Sequence, residues 1–300
     1  MSDTKRILSY IRRACDDYNM IEEGDKIAIG ISGGKDSLTL LTALAEMRRF
    51  YPKKYSLCGI SIDMGLEGMD FSAVADYCRS LDVEYHIIPS DISKVVFEYR
   101  KEHNPCSLCA KMRRGALNNA AHSLGCNKVA LGHHFDDVVE TFMLNLFFEG
   151  RIGVFSPVTY LSRSDVTVIR PMVYMPEKDI RYFAKKAELP VVESTCPADK
   201  HTEREEMKQF LARLDRENRG LKYRIYGAIQ RGEVDGFRDF GRMAGIKVYA
   251  EDKKEDEGQK TVAAMRQPFF CRPDQSRNIP AFSQASISAR GQQDACTSPI

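Results

Sequence analysis

The sequence has no apolar run long enough to cross a lipid bilayer, which takes about 20 residues. The segment Met1–Tyr18 also lacks the uninterrupted apolar stretch that a secretory signal needs. Internal repeats at the periods typical of solenoids are absent as well. These absences exclude a membrane-spanning protein or a repeat array, and they predict a cytoplasmic chain with no membrane partner.

An excess of charge of one sign is also missing. The 44 lysines and arginines nearly balance the 42 aspartates and glutamates, which gives a formal net charge of +2. A protein that holds nucleic acid by bulk positive charge is therefore excluded, and any such contact must depend on a local basic patch.

Cysteine, in contrast, occurs nine times. An odd number of cysteines in a chain without a secretory signal predicts thiols or metal ligands in a reducing compartment. A disulfide framework is correspondingly disfavoured.

The 300 residues, 43% of them hydrophobic, suffice for one large domain with appendages. Short apolar runs alternate with amphipathic stretches, which is typical of alternating strands and helices. The predicted strands are the run from Lys26, Ser56–Asp63, Val83–Ile88, Lys128–Gly132 and Val166–Arg170; the predicted helices are an N-terminal one, Asp36–Phe50, Phe71–Leu81, Ala110–Leu124, one from Glu177 and Thr202–Arg219. This alternation predicts an α/β fold with a doubly wound, mostly parallel sheet and helices on both faces.

Composition divides the chain into four segments. Residues 1–24 are predicted to be an N-terminal helical segment, 25–195 the catalytic α/β domain, and 196–232 a basic helical segment. Residues 233–300 are rich in Gln, Ser, Arg and Pro and carry clustered charges at Glu251–Glu257, so they are predicted to be a disordered tail.

The most informative segment is the turn Ser32–Ser37, which follows the first apolar run and precedes a helix. Gly33 and Gly34 can adopt backbone angles closed to other residues and let amide groups approach an anion. The following helix directs its positive dipole end to the same point, and Lys35 adds a charge. The pattern predicts a phosphate-binding loop, although its spacing is not that of the Walker A motif.

Polar residues are expected at the same edge of the sheet, because ligands bind beyond the carboxyl ends of parallel strands. Asp63 could reach a ribose or a magnesium ion there, or simply cap the next turn. Gly132–Asp137 contains two histidines and two carboxylates, which could bind a metal or supply acid–base groups. In the alternative, Asp136 caps a helix and one histidine is structural. We favour a magnesium–phosphate or substrate-activating role for Asp136 and Asp137.

Cys106 and Cys109 form a CxxC pair, and Cys196 is the best third candidate ligand. Such a pair is compatible with a redox site, half of a zinc site or an iron–sulfur ligand set. A thioredoxin-like pair would open the helix after the first strand, and a four-cysteine zinc site would need a second CxxC that the chain lacks. Three ligands would leave one iron of a four-iron cluster open to an external sulfide.

Basic side chains follow both cysteine regions: Lys111, Arg113, Arg114, Lys200, His201, Arg204, Lys208, Arg213 and Arg216. They could hold the phosphates of an RNA backbone. The alternative is a solvated helix face, because Glu203, Glu205 and Glu206 are interleaved with them.

Five motifs occur in order: SGGKDSL, CSLCxxxRRG, GHHxDDxxET, Ile169-Arg170-Pro171 and Glu177-Lys178-Asp179-Ile180. Together they resemble the PP-loop ATP pyrophosphatases and, within these, the tRNA-cytidine 2-sulfurtransferase branch, over about residues 5 to 230. The resemblance implies that ATP is split to AMP and pyrophosphate while the C2 oxygen of a cytidine in a tRNA anticodon loop is adenylated. Sulfide then displaces AMP.

The resemblance also implies cofactors, partners and site residues. ATP with Mg²⁺ would be bound by Ser32, Gly33, Gly34, Lys35, Asp36 and Ser37, to which we add Asp63, Gly132 and His133. A [4Fe-4S] cluster would be held by Cys106, Cys109 and Cys196, and activation would be assisted by Arg113, Asp136 and Asp137. The implied partners are tRNA and a sulfide or cysteine-desulfurase sulfur donor, and a homodimer is the assembly we consider.

Two departures from the family pattern and three alternatives accompany this prediction. Asp199 stands where family members often have a further cysteine, and the N-terminal zinc-ribbon cysteines of thiouridine-forming relatives are absent, which favours the cytidine branch. A lysidine-synthetase-like enzyme would not need the three cysteines. A non-catalytic metal-binding RNA protein would not need the phosphate loop, and a small-molecule adenylating enzyme of the amidotransferase or NAD synthetase kind would leave the basic helices unexplained.

Overall fold

The computed structural model describes residues 3–66, 68–100, 105–192, 196 and 203–241. Its strands are β1 Asp25–Gly30, β2 Tyr55–Asp63, β3 Glu84–Pro89, β4 Lys128–Ala130, β5 Val158–Leu161 and β6 Val166–Ile169. They form one six-stranded sheet in the order β3-β2-β1-β4-β6-β5. All pairs in this sheet are parallel except β5 with β6. The predicted doubly wound, mostly parallel sheet is confirmed.

Helices connect and cover the strands. They are α1 Asp3–Asp17, α2 Lys35–Met47, α3 Ser72–Ser80, α4 Pro105–Ser123, α5 Phe135–Phe148, α6 Glu177–Lys186, α7 Glu203–Glu217 and α8 Leu221–Arg231. A π-helical segment, Lys94–Arg100, precedes α4, and a 3₁₀ turn, Val234–Gly236, follows α8. None of the helices in the described part of the chain is both long and apolar enough to cross a membrane.

The sheet separates two apolar layers, because successive residues of a strand point to opposite faces. Ile27 and Ile29 of β1 belong to the larger core, which also contains buried residues of α1, α2 and α6. Ala28 belongs to the smaller core on the other face, with Leu117 and Ala121 of α4. The α2 helix, which carries the phosphate loop at its start, therefore packs between the sheet and the helices α1 and α6.

Two elements differ from their prediction in ways that matter for the site. The sequence predicts that a helix starts at Ala110, but α4 starts at Pro105, a residue favoured at the first helical position because its missing N–H would be unpaired there anyway. The CxxC pair therefore lies in the first two turns of α4. The sequence also predicts no strand at Val158–Leu161, a short, partly exposed edge strand that pairs only with β6.

The C-terminal helices pack on the α/β domain. Both α7 and α8 contact α5, and Met207 and Leu211 of α7 are buried in the larger core. The predicted start of the disordered tail at residue 233 is wrong, because the 3₁₀ turn follows and Phe237 is fully buried, 5.7 Å from the Tyr226 ring. Thr202 and residues 242–300 lie outside the described residues.

Candidate active site

The phosphate loop is held in shape by its own hydroxyl groups. The Ser37 hydroxyl donates to the carbonyl oxygen of Gly34 at 2.9 Å and accepts from the Ser32 amide at 3.2 Å. The Ser32 hydroxyl lies 3.3 Å from that of Ser37 and accepts from the Gly34 amide at 3.4 Å. The loop therefore presents the N-terminus of α2, with its positive dipole end, to the carboxyl edge of the sheet.

Two glycines in and beside the loop leave no room for a side chain. Gly33 has a φ of +82°, and a Cβ there would lie 3.0 Å from the Cβ of Val192. A Cβ on Gly132 would lie 3.2 Å from the backbone carbonyl carbon of Asp36 and from the amide nitrogen of Ser37. The loop after β4 thus packs directly against the first turn of α2, which brings two motifs distant in the sequence into one site.

A cavity of about 360 Å³ lies where β1, β2 and β4 end. Its volume is in the range of small-molecule sites. Ile60, Ile62, Leu117 and Leu131 make it apolar on one side, and Arg113 and Arg114 add positive charge. Of the residues predicted from sequence, those that line it are Ser32, Asp36, Ser37, Arg113, Gly132, His133 and Asp137. Gly33, Gly34 and Lys35 belong to the adjoining loop.

The start of α5 is capped by a histidine. The His134 side chain accepts from the Asp137 amide at 3.4 Å, and the Asp137 carboxylate accepts from the His134 amide at 2.9 Å. This reciprocal pair satisfies two helix-terminal amides. The alternative in which Asp136 caps the helix is therefore wrong, whereas the expectation of one structural histidine is confirmed by His134.

His133 lies in the cavity wall, with its ring 4.8 Å from that of Phe155. Its Nδ1 atom is buried and has no hydrogen-bond partner among the described residues. Burial, helped by the positive charge of Arg170, lowers the pKa of His133 to about 4. The imidazole is therefore neutral at physiological pH, and it can contact a ligand through hydrogen bonds but not as a cation.

Two carboxylates converge on the cavity. The Oδ1 atom of Asp36 is buried without a hydrogen-bond partner in the described structure, 3.9 Å from the Nε2 atom of His134. The same Nε2 atom lies 3.5 Å from Asp137. Burial opposes ionisation of Asp137, but His134, His133 and Arg204 outweigh it and lower the pKa of Asp137 below its ordinary value. An ionised carboxylate beside an unpartnered carboxylate oxygen is a donor set suited to Mg²⁺.

Lys35 is positioned by a carboxylate from a later helix. Its ammonium group lies 3.1 Å from both Asp36 and Glu177, and Lys208 of α7 lies 2.9 Å from the same oxygen of Glu177. Burial works against ionisation of Glu177, yet the hydrogen bonds and charges of Lys208 and Lys35 lower its pKa to about 2. Sequence reasoning missed this role, because an acidic residue in the first turn of α6 is explained by helix capping alone.

Asp136 faces away from the cavity. Its carboxylate accepts from the Glu177 amide at 2.8 Å and from the Lys222 ammonium group at 2.7 Å, and the residue is buried. These contacts correct the prediction for Asp136, which was expected to contact phosphates or substrate together with Asp137. Asp137 does line the cavity. Successive residues of a helix point in different directions, so Asp136 instead joins α5 to α6 and α8.

The carboxylate of Asp63 caps the turn that follows β2, which is the second of the two roles predicted for it from the sequence. Its carboxylate accepts from the Gly65 amide at 2.9 Å, whereas its neighbour Ile62 lines the cavity. The prediction that Asp63 contacts the nucleotide is therefore not supported by the geometry, since a carboxylate at the end of β2 is turned into its own loop.

The thiols lie beside the cavity and are linked to it by Arg113. The half-buried Cys109 lies one helical turn before Arg113, whose positive charge acts on its thiol and whose side chain also lines the cavity. Burial raises the pKa of Cys109, Arg113 opposes this rise, and the nearby thiols of Cys196 and Cys106 add to it. The three predicted ligands therefore come together in the fold, although Cys196 follows Cys109 by 87 positions in the sequence.

A second cavity of about 220 Å³ adjoins the first. It is lined mainly by apolar side chains, those of Ile62, Met64, Leu66, Met69, Phe71 and Val192. Ser32, Ile62 and Arg113 line both cavities. The Sγ atom of Cys109 lies 3.6 Å from the Sδ atom of Met64, so the smaller cavity lies between the phosphate loop and the thiols.

Part of the basic surface predicted for RNA is turned inward. Arg204 binds Asp137 at 3.0 Å and Thr141 at 3.1 Å, and Lys208 binds Glu177. These cations balance the carboxylates of the site. The prediction that Arg204 and Lys208 contact RNA is therefore corrected, because both belong to the site. Lys111 and Arg114 are exposed beside the thiols. Lys200 and His201 lie outside the described residues.

Glu140, which belongs to the motif GHHxDDxxET but received no role from the sequence, makes the stability of the folded chain depend on pH. Burial, followed by repulsion from Asp137, raises its pKa from 4.5 to about 8 against the attraction of Arg204. The folded chain therefore holds a proton that the unfolded chain releases near pH 4.5. The resulting stabilisation is present below that pH and is lost as pH rises to about 8, at about 1.4 kcal/mol per pH unit at most.

We expect Glu140→Gln to remove this pH dependence and to stabilise the chain relative to the native protein at pH 8 and above. Urea unfolding from pH 5 to 9 measures the difference. Glu206→Gln, an exposed position on α7, is the control and should leave the slope unchanged. Equal pH slopes for the native chain and Glu140→Gln would contradict the raised pKa.

Comparisons with known proteins agree with this geometry. A family model described as a PP-loop domain matches residues 5–214. The chain is 40% identical over 228 residues to the tRNA-cytidine(32) 2-sulfurtransferase of Geobacter sulfurreducens, an alignment that covers 75% of this chain and 89% of that relative. It is 42% identical over 216 residues to the protein of the same name from Pelobacter propionicus, with coverages of 71% and 80%.

A solved structure gives a three-dimensional match. The U34-tRNA thiolase NcsA from Methanococcus maripaludis, solved with its [4Fe-4S] cluster, superposes with a TM-score of 0.63 at 27% identity, covering 76% of this chain and 78% of that one. The expectation raised by the sequence motifs is thereby confirmed. The chain belongs to the PP-loop family and, within it, to the tRNA-cytidine 2-sulfurtransferases.

Proposed function

We propose that this protein is an ATP-dependent tRNA thiolase that replaces the C2 oxygen of an anticodon-loop cytidine with sulfur. The observation that carries the proposal is the placement of Arg113, which lines the nucleotide cavity and whose positive charge acts on the thiol of Cys109. One side chain thus joins the predicted adenylation site to the predicted sulfur site. The relatives' name supports cytidine as the acceptor.

The larger cavity suits ATP and Mg²⁺. The phosphate loop and Lys35 supply amides and positive charge for the phosphates, and the apolar wall of Ile60 and Leu117 suits the adenine ring. Asp36 and Asp137 are the residues that would hold Mg²⁺, because an oxygen of Asp36 has no partner in the described structure. A bound Mg²⁺ would neutralise charge that develops on the phosphates.

The three thiols suit a cluster better than a single ion. In the described residues, the only group of three or more candidate metal ligands with donor atoms within 4.8 Å of one another is Cys58, Glu84 and His86. Cys106, Cys109 and Cys196 thus lie close without meeting at one point, as ligands of separate irons do. A [4Fe-4S] cluster held by three cysteines keeps one iron open for sulfide.

The smaller cavity is the proposed place of the acceptor base. Enzymes that act on a base extrude it from its stack into a pocket of aromatic and apolar side chains. Phe71, Met64 and Met69 provide such walls, and the shared residues Ser32 and Arg113 place the pocket beside the predicted α-phosphate. A base held there has the nucleotide on one side and Cys109 on the other.

The reaction follows in two steps. The cytidine C2 oxygen attacks the α-phosphorus of ATP, and pyrophosphate leaves with the electrons of the broken P–O bond. Sulfide then adds to C2, and the adenylated oxygen departs in AMP. Arg113 would stabilise the negative charge that develops at the transferred phosphoryl group, as preorganised cations do in other phosphoryl transfers.

Location and partners belong to the same proposal. We propose a cytoplasmic enzyme, because tRNA and reduced thiols occur together there. The sulfur donor is proposed to be free sulfide or sulfur from a cysteine desulfurase, and a homodimer stays a prediction.

The test is a single-turnover assay with anaerobically purified chain, ATP, Mg²⁺, sulfide and unmodified tRNA. We expect AMP and pyrophosphate to form, and we expect mass spectrometry of the nucleosides to show 2-thiocytidine in proportion to the AMP formed. AMP formation with lysine attached to cytidine would instead identify a lysidine synthetase. AMP formation with a small-molecule acceptor and no tRNA would identify a small-molecule adenylating enzyme of the amidotransferase or NAD synthetase kind.

A further inference from the structure

A group of potential metal ligands lies on the sheet away from the active site. Cys58 lies in β2, five residues before its carboxyl end and therefore roughly 16 Å from the edge that holds the phosphate loop. Cys58 pairs with Glu84 of the edge strand β3, and His86 follows two residues later on the same face. The proposed function uses none of these residues.

The donor atoms of these residues converge. One ligand atom from each of Cys58, Glu84 and His86 lies within 4.8 Å of the others, and the Nε2 atom of His86 is 2.9 Å from a carboxylate oxygen of Glu84. Cys126, in the turn between α4 and β4, is buried in the same small apolar cluster as Cys58 and Ala28 but is not one of the converging residues.

The donor set is chemically specific. A thiolate, an imidazole and a carboxylate are the three ligand types that zinc takes in proteins, and a water molecule would complete a tetrahedron. We propose that Cys58, Glu84 and His86 form a Zn²⁺ site, distinct from the cysteines of the active site. Zinc bound there would fasten the edge strand β3 to β2.

Burial and exposure are both compatible with such a site. Cys58 is buried, whereas Glu84 is exposed and His86 half-buried, so an ion can enter from the open side of β3. Zinc binds the thiolate, so it would displace the thiol proton of Cys58 when it binds.

The test titrates the full chain with Zn²⁺ against a chromophoric chelator, in a background that carries Cys106→Ser, Cys109→Ser and Cys196→Ser. This background removes the thiols of the active site, which would also bind the ion. We expect one equivalent of tightly bound Zn²⁺, and an increase of the melting temperature with Zn²⁺ because the ion binds only the folded chain. Co²⁺ in its place should show thiolate-to-metal charge-transfer absorption.

Ligand substitutions identify the site. His86→Ala, at a half-buried surface position that is safe for folding, should weaken Zn²⁺ binding by at least ~10-fold, since even outer-shell changes act in that range. Cys58→Ser should also remove the Co²⁺ charge-transfer band. Cys78→Ser, another buried thiol on α3, is the matched control and should change neither. No bound Zn²⁺ in the background chain, or equal affinity in His86→Ala, overturns the proposal.

Discussion

Replacing Cys109 with alanine is expected to abolish cluster binding and to reduce thiolation to background, at least ~100-fold, while ATP binding is retained. Loss of one thiolate removes a direct ligand, which costs more than the outer-shell changes that already cost 10–100-fold. The nucleotide cavity persists, because its lining from α4 is supplied by Ala110, Arg113, Arg114 and Leu117 and not by the thiol. Iron and acid-labile sulfide analysis, the visible spectrum and ATP titration measure the three quantities separately.

Two companion variants and one control accompany this experiment. Cys106→Ala and Cys196→Ala should behave as Cys109→Ala does, whereas Cys78→Ala, in the apolar core of the sheet, should keep both cluster and activity. Full thiolation by any of the three ligand variants would remove the cluster assignment. A zinc content that replaces iron in the native chain would do the same.

Replacing Lys35 with alanine should weaken ATP binding by roughly 10- to 100-fold, because a hydrogen bond between charged groups contributes about 1.5–3 kcal/mol. The fold should survive, since Glu177 keeps Lys208 at 2.9 Å and Arg181 at 3.1 Å. The cluster spectrum should not change, because the thiols lie on a different element. Isothermal titration with ATP and the visible spectrum of the same sample test both halves of the prediction.

Lys178→Ala is the control for this change, as an exposed lysine on the helix that carries Glu177. Its ATP affinity should equal that of the native chain. A Lys35→Ala protein that binds ATP as tightly as the native chain would remove Lys35 from the nucleotide site. A loss of cluster in the same variant would show that the two sites are not independent.

The predictable parts of the fold depend on local rules. The strand β1, the phosphate loop and the start of α2 follow from an apolar run, two glycines and a helical pattern within a short stretch of sequence. Gly33 illustrates why, because its positive φ of +82° is a backbone requirement that glycine meets at once. The elements β5 and the start of α4 were not predictable in this way, since a short edge strand and a proline-started helix have weak local signals.

The candidate site, like the fold, has features that the sequence predicts and features that it does not. Its motifs, SGGKDSL, the CxxC pair and GHHxDDxxET, could be read from the sequence because each lies on one loop or helix turn. The direction of each side chain could not. Asp136 and Asp137 are adjacent, yet one binds Lys222 and the other faces the cavity, which depends on where α8 packs.

The sequence by itself therefore determined the fold class, the phosphate loop, the three thiols and the family, since these depend on residue types at fixed spacing along the chain. Only the tertiary structure decided that Arg113 links the thiols to the nucleotide cavity, that Glu177, Lys208 and Arg204 balance its charges, and that His134 rather than Asp136 caps α5. These are contacts between elements far apart in the chain. They arise when helices pack on the sheet, and packing is settled by the whole set of buried surfaces and not by any one segment.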